Sequence, residues 1–219
     1  MGENKISFLR NCELYEGLSD EEICSVAQSS VDRNYTKGEL IYTPHTPAPN
    51  IYIVKKGEVQ LYHSIDGKKI VFDILTPGSV FGCFQMEQSL PNHFAECSKP
   101  GYLCTTPINE FLQLVQVYPE ITLRLMQKMA HRLNEYETKL EASSGDAATK
   151  ILYELKRIQE KRSRNFFGKI FSLPLRMTHE EIAHLTGLNR VTVTRTMQEL
   201  IHMGKISIDS SSGGITIQV

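Results

Sequence analysis

The chain has 219 residues, 41% of them hydrophobic, and a net charge of −1, which is enough apolar matter for one large core or two modest ones. No stretch approaches the ~20 apolar residues of a membrane span, and the N-terminus MGENKISFLRN lacks the basic-then-apolar order of a secretory signal. Five cysteines at irregular spacing argue against a disulfide framework and for a reducing cytoplasm.

The near-neutral total hides a split. Residues 146–219 carry 11 Lys/Arg against 7 Asp/Glu, a balance of +4, while residues 1–145 carry 13 against 18, a balance of −5. A basic C-terminal part beside an acidic N-terminal part is the pattern expected if only the former meets phosphate.

In chain order, the first predicted helix runs from Ser19 to Ser29, opened by the capping box of Ser19 and Glu22. From Glu39 to Thr106 the chain reads as short strands: ELIYT, NIYIVKK, EVQLYHS, KKIVFDIL and YLCTT. They are β-branched or aromatic and often alternate in polarity. Turn residues bound them at Lys37-Gly38, Lys56-Gly57, Asp66-Gly67, Pro77-Gly78 and Pro100-Gly101. Many short strands with regular turns predict a barrel or double-sheet jelly roll.

The period then changes. Thr106 is expected to cap a short helix with Pro107 at its first position. A second helix is predicted from Pro119 to about Ala142. Its apolar residues Leu123, Met126, Ala130, Leu133 and Leu140 recur at three- and four-residue steps, a coiled-coil seam interrupted at Glu137. The narrow stripe on a long helix predicts a homodimer. Ser143-Ser144-Gly145 reads as a hinge. A further amphipathic helix, Ala147 to about Lys161, turns Ile151, Leu152, Leu155 and Ile158 inward, and a hairpin or loop is expected over Phe166–Leu175.

The segment MTHEEIAHLTGLNRVTVTRTMQELIHMGKISI carries the function. Thr178 and Glu181 make a second capping box, with Ile182, Ala183 and Leu185 inward, and Gly187 allows a tight turn. Asn189 caps a second helix that runs to about Met203. Val193, Met197, Leu200 and Ile201 fall on its inner face, leaving Arg190, Thr192, Thr194 and Arg195 outward near its N-terminal end. A recognition helix enters the major groove with that end leading. Arginine can grip guanine bidentately, and threonine can meet a thymine methyl. Thr178 and His179 are expected to meet phosphate through a helix N-terminus. After Gly204, KISID and ITIQV flank Ser210–Gly214 as a β-hairpin wing. The candidate DNA-contacting residues are therefore Thr178, His179, Asn189, Arg190, Thr192, Thr194 and Arg195.

This segment resembles the winged helix-turn-helix of the Crp–Fnr family of transcription regulators. The order of parts is similar too, over nearly the whole chain from about Cys12. The resemblance implies an α+β chain: an N-terminal β-roll (a jelly roll of the cyclic-nucleotide-binding type) over residues 1–117, a dimerisation helix over 118–142, and a winged helix-turn-helix over 143–219. It implies a cytoplasmic homodimer on a palindromic promoter site, with double-stranded DNA, a second copy and RNA polymerase as partners and no membrane. RVTVTR at 190–195 is most similar to the NtcA-type nitrogen regulators of that family, which favours a GTA-type half-site.

The same resemblance frames the sensor. LTPGSVFGCFQMEQSLPNHFAECS is similar to the family's phosphate-binding cassette. In cyclic-nucleotide binders a Gly-Glu pair and a later Arg-Ser or Arg-Thr pair hold ribose and phosphate. Here the matching positions are Gly82-Cys83 and His93-Phe94, so the carboxylate and the guanidinium are both missing. This argues against a cyclic nucleotide. SVFGCF, Arg132 and Glu137 match pocket positions of the 2-oxoglutarate-sensing members, although His93 stands where a second arginine is needed. The candidate effector pocket is Phe81, Gly82, Cys83, Phe84, His93, Arg132 and Glu137, and the alternative for Arg132 and Glu137 is a solvated or interhelical ion pair. Cys104 matches a position that holds an iron–sulfur cluster in the Fnr branch. Cys12, Cys24, Cys83, Cys97 and Cys104 are thus candidate thiols for a cluster or switch, or else small buried hydrophobes.

No nucleophile elbow, P-loop, dinucleotide fingerprint or zinc motif is present, so an enzyme is not expected. The reading from a different class is a cupin-like small-molecule or metal binding protein with a helical interaction domain. His45, His63 and His93 lack the clustered ligand pattern that it needs.

Overall fold

The computed structural model describes residues 2–82, 90–163, 175–209 and 211–218. The chain forms two compact units: Met1–Leu61 with Ile74–Arg132, and Tyr62–Asp73 with Leu133–Val219.

The first unit opens with helix α1 (Gly2–Arg10), a 3-10 turn (Glu13–Tyr15) and α2 (Asp20–Gln28). Ser19 caps α2 as expected: its hydroxyl accepts from the Glu22 amide while the Glu22 carboxylate accepts from the Ser19 amide. Six strands follow: β1 (Val31–Tyr35), β2 (Leu40–Tyr42), β3 (Asn50–Ile65), β4 (Lys68–Leu75), β5 (Val80–Gly82) and β6 (Phe94–Pro107). They make one sheet in the order β1-β6-β3-β4, with β2 also on β6 and β5 also on β3. Strand β6 is antiparallel to β1 with Val31 opposite Thr105, and to β2 with Leu40 opposite Glu96.

Two predicted turns lie inside strands. NIYIVKK and EVQLYHS form one strand across Gly57, and β6 runs through Pro100-Gly101. The two glycines face each other. A Cβ on Gly101 would stand 1.8 Å from the Lys56 carbonyl oxygen, and one on Gly57 would stand 2.5 Å from that of Lys99. Gly57 also has φ +86°. Glycine here serves a close backbone approach inside a sheet, not a reversal.

Helix α3 (Ile108–Val117) starts one residue later than expected: Pro107 takes the cap position, and Thr106 belongs to β6 with no capping bond. Leu9, Leu14, Tyr15, Ile23 and Val26 from the N-terminal helices pack with Ile51, Ile53, Val80 and Cys104 of the sheet. Phe111, Leu114 and Ile121 close this core. Each such side chain, fully buried, contributes ~1.5–3 kcal/mol. Helix α1 and strands β1 and β5 were not predicted; each is short, and the turn residues beside β1 and β5 marked a boundary without marking the strand.

Helix α4 (Pro119–Ser143) matches its predicted span. Ile121 is its one residue recorded as buried, and Leu123, Met126, Leu133 and Leu140 are 58–72% exposed.

The second unit contains the β3–β4 hairpin tip, the C-terminal half of α4, and helices α5 (Ala147–Ser163), α6 (His179–Thr186) and α7 (Arg190–His202). The Asp146 carboxylate accepts from the Thr149 amide, so the predicted hinge ends in a cap. Ile151, Leu155 and Ile158 of α5 are buried, as are Ile182 and Leu185 of α6 and Val193, Met197 and Leu200 of α7. Ile201, expected inward, is 41% exposed. Strands β7 (Ile206–Ile208) and β8 (Ile215–Ile217) pair antiparallel as the wing, and Leu175 bridges to Ile215. Most of the loop expected over Phe166–Leu175 lies outside the described residues.

Candidate nucleic-acid interface

Helix α6 begins at Thr178, whose hydroxyl accepts from the Glu181 amide at 3.2 Å while the Glu181 carboxylate accepts from the Thr178 amide at 2.7 Å. It ends at Gly187, which takes φ +70°, the left-handed cap that glycine adopts without strain. Asn189 then caps α7 by accepting from the Thr192 amide at 2.8 Å. That cap satisfies one amide of the first turn of α7, and an exposed helix start of this kind favours phosphate.

A side-chain pair fixes the two helices against each other. The Thr194 hydroxyl lies 2.9 Å from His179 Nδ1 and donates to the Arg190 carbonyl at 2.9 Å. Thr194 and His179, both predicted DNA contacts, thus hold each other within the motif.

The buried residues Val193, Thr196, Met197 and Leu200 define the inner face of α7. At about 100° per residue, Arg195, Val191, Gln198 and His202 point away from that face. Thr192 and Glu199 flank them on one side, with Arg190 and Thr194 on the other. Val191 is 79% exposed, and the Arg195 side chain is 74% exposed with a loose 3.7 Å pair to Glu199. Arg195, Gln198, Glu199, His202 and Met203 line a shallow depression. Gln198 and His202 were not among the predicted contacts. Their signal was the three-residue step from Arg195 and the four-residue step from Gln198. Gln198 carries an amide able to grip adenine.

The wing turn is held by one carboxylate. Asp209 accepts from the Ser211 amide (2.9 Å), the Ser211 hydroxyl (2.8 Å) and the Ser212 hydroxyl (2.5 Å). The Ser212 hydroxyl, then the Ser211 amide and hydroxyl, pull its pKa down to about 2.

Two capped helices crossing a glycine turn, with a basic outer face and a wing, agree with what comparison finds. Residues 32–118 match the cyclic nucleotide-binding domain family, and residues 149–218 match the Crp-like helix-turn-helix domain family. The chain belongs to the Crp–Fnr family of DNA-binding transcription regulators. It is similar to the cyclic AMP receptor protein of Thermus thermophilus, with 24% identity over 91% of this chain and 90% of the relative. It is also similar to the global nitrogen regulator of Synechococcus elongatus, with 28% identity over 80% of each. In fold it matches the c-di-GMP-responsive regulator CLP of Xanthomonas campestris at a TM-score of 0.73, with 18% identity, over 92% of this chain and all of that one. No helix among the described residues is long and apolar enough to cross a membrane.

In the first unit the His93 ring is engaged: Nδ1 lies 2.6 Å from the Asn92 side-chain oxygen and Nε2 lies 2.8 Å from the Tyr42 hydroxyl. Phe94 meets His45 edge-on. Phe81 is buried and stacked on Tyr52 at 5.0 Å, with Tyr42 at 6.2 Å. Gly82 (φ +137°) lies against the Asn50 carbonyl, 2.3 Å from where a Cβ would sit. Arg132 Nη1 donates to the Val80 carbonyl at 3.2 Å, which puts a guanidinium beside β5. Glu137 is exposed on α4, in the second unit. Cys83 and Phe84 lie outside the described residues.

Among the described residues, no three His, Cys, Asp or Glu side chains gather as metal ligands. Cys12 and Cys104 share the first unit's core, Cys97 is buried in β6, and Cys24 is exposed on α2. Burial pushes the Cys12, Cys97 and Cys104 thiols above their ordinary pKa, which disfavours the thiolate that a ligand or nucleophile needs.

Proposed function

We propose that the chain acts as a cytoplasmic homodimer that places two copies of α7 in successive major grooves of a palindromic promoter site. It acts by binding and not by catalysis, and works with RNA polymerase as Crp-like regulators do. The observation that carries this reading is α4. A 25-residue helix with the exposed stripe Leu123, Met126, Leu133 and Leu140 needs a partner, and a symmetric copy supplies the same stripe. Functional division into a sensor (1–117), a dimer helix (118–142) and a reader (143–219) accords with the two family matches.

On DNA, Arg195 reads a base edge with Thr192 or Val191 beside it. Arg190, Thr178, Asn189 and the start of α6 serve phosphate and helix capping. On the sensor side, Arg132, His93, Phe81 and Gly82 form the candidate effector pocket, and the guanidinium of Arg132 suits a carboxylate such as that of 2-oxoglutarate. Global nitrogen regulators are among the relatives.

One experiment covers both halves. Sedimentation at micromolar concentration should give twice the chain mass of 24.9 kDa. The same preparation should bind a palindrome of GTA-type half-sites with strong salt dependence, more tightly with 2-oxoglutarate, and Arg132→Ala should remove only the effect of the ligand. A monomer that binds the palindrome with full affinity would refute the dimer. Equal binding with and without 2-oxoglutarate in the parent protein would refute that effector.

A further inference from the structure

Asp73 is an aspartate at an inward position of a strand, with no exposed surface at all. A carboxylate there is tolerated only with partners, and α4 and α5, in the same unit, supply them. Oδ1 accepts from Lys161 Nζ at 2.7 Å and from Arg157 Nη1 at 3.3 Å, and Oδ2 accepts from the Tyr136 hydroxyl at 3.0 Å.

The pairing continues inward. Arg157 Nε and Nη2 both donate to Glu154 Oε2, at 2.9 and 2.7 Å. Glu154 Oε1 accepts from Lys139 at 2.8 Å, and Lys161 reaches Glu135 at 2.8 Å. Lys139 also donates to the carbonyls of Val71 and Phe72 on β4, at 3.2 and 3.3 Å, and to that of Leu185 near the end of α6 at 3.4 Å. The carboxylates of Asp73, Glu135 and Glu154 thus meet the cations of Lys139, Arg157 and Lys161. Glu154 and Arg157 are buried.

The cluster joins four segments: β4, the C-terminal half of α4, α5 and the last turn of α6. Two features say what the joint is for. First, it leaves the reading face of α7 open, with Val191 79% exposed and the Arg195 side chain 74% exposed, so it does not act by covering the DNA contacts. Second, it ends on α6 directly before the Gly187 turn that leads into α7.

We propose that Asp73 and Lys139 are positioning residues for DNA binding: they fasten the winged helix-turn-helix to β4 and to the C-terminal half of α4 in one orientation, and so set the direction in which each recognition helix leaves the dimer helix. The proposal rests on the dimeric reading above.

A positioning role predicts loss of spacing discrimination, not loss of base contacts. Binding of the full-length protein would be measured to a palindrome, to the same palindrome with one or two base pairs added between half-sites, and to a single half-site at low salt. Preorganisation is lost when the clamp opens. Asp73→Asn should therefore weaken palindrome binding about tenfold or more, leave half-site binding within about twofold, and flatten the dependence on spacing. Lys139→Met, which removes a different member of the cluster, should do the same. If either folded variant weakens palindrome and half-site by the same factor, or changes neither, the proposal fails. A parent protein that binds palindrome and half-site equally would refute the dimeric reading itself and the proposal with it.

Discussion

Replacing Arg195 by alanine tests how α7 reads DNA. Three of its neighbours around the helix are fixed by geometry. Val191 lies four residues before it and about 40° away, Thr192 three residues before and about 60° away, and Arg190 about 140° away. Arg190 and Arg195 therefore cannot address the same base edge. Arg195 lies opposite the buried face of Val193, Met197 and Leu200, which aims it at the groove floor when α7 enters end-on. Its pair with Glu199 is exposed and 3.7 Å long, so releasing it for DNA costs about 0–1 kcal/mol. A bidentate guanine contact is worth ~1–3 kcal/mol, or about 5- to 150-fold per half-site. Arg195→Ala should lose that much for the cognate guanine and almost nothing for sites already substituted there. Competition anisotropy with half-site variants at two salt concentrations measures both effects. An equal loss on every variant, with a salt slope shallower by about one unit, would mean a phosphate clamp and would overturn the orientation argued from the helix geometry.

Two further perturbations probe the sensor unit. Gly57→Ala combines a left-handed backbone position (φ +86°), costing ~1–2 kcal/mol for an L-residue, with a Cβ 2.5 Å from the Lys99 carbonyl. Overpacking costs ~1–3 kcal/mol more, so the urea midpoint should fall clearly, and an unchanged midpoint would mean that the β3–β6 approach is not as close as described. Glu13 bonds to Lys128, whose hydrogen bond and charge lower its pKa from 4.5. A lowered folded pKa gives stability that is present above pH 4.5 and is lost as pH falls through the folded value. Acid titration of stability should show a component below pH 4.5 that Lys128→Ala removes, with no difference in pH slope between parent and variant from pH 5 to 7.

What the sequence made legible follows from how local each signal is. The caps at Ser19, Thr178 and Asn189 depend on three or four consecutive residues, and each forms the bond that its spacing implied. Gly187 as a turn was legible for the same reason. Gly57 and Gly101 were misread as turns because their need for glycine comes from each other, 44 residues apart in the chain, and a local pattern cannot distinguish a reversal from a close approach. Ile201 fits the inner helical period by number but sits at its margin, where the neighbouring surface and not the period decides burial. His179 and Thr194 were legible as polar residues near the two helix starts, but the bond between them across the motif is tertiary and no local pattern gave it.

The charge cluster was less hidden than it first looks. In KKIVFDIL, strand alternation puts Val71, Asp73 and Leu75 on one face, and all three are buried. On α5, Glu154 and Arg157 fall within the same face as Ile151, Leu155 and Ile158. A charge placed by periodicity on an apolar face must find an opposite charge also on an apolar face, because burying it alone costs far more than the fold can supply. Asp73 on the strand therefore required a buried cation, and Arg157 required buried carboxylates. The periodicities of β4 and α5 each place a charge on a buried face, and which charges pair is left to the tertiary structure. What no pattern supplied was Lys139. Its neighbours three and four residues away on α4 are Glu135, Tyr136, Ala142 and Ser143, which make no apolar stripe, and it donates to the strand carbonyls of Val71 and Phe72. The register of that strand against the helix is a tertiary fact, and it decides that Lys139, and not a neighbouring residue of α4, bonds to both the strand and Glu154.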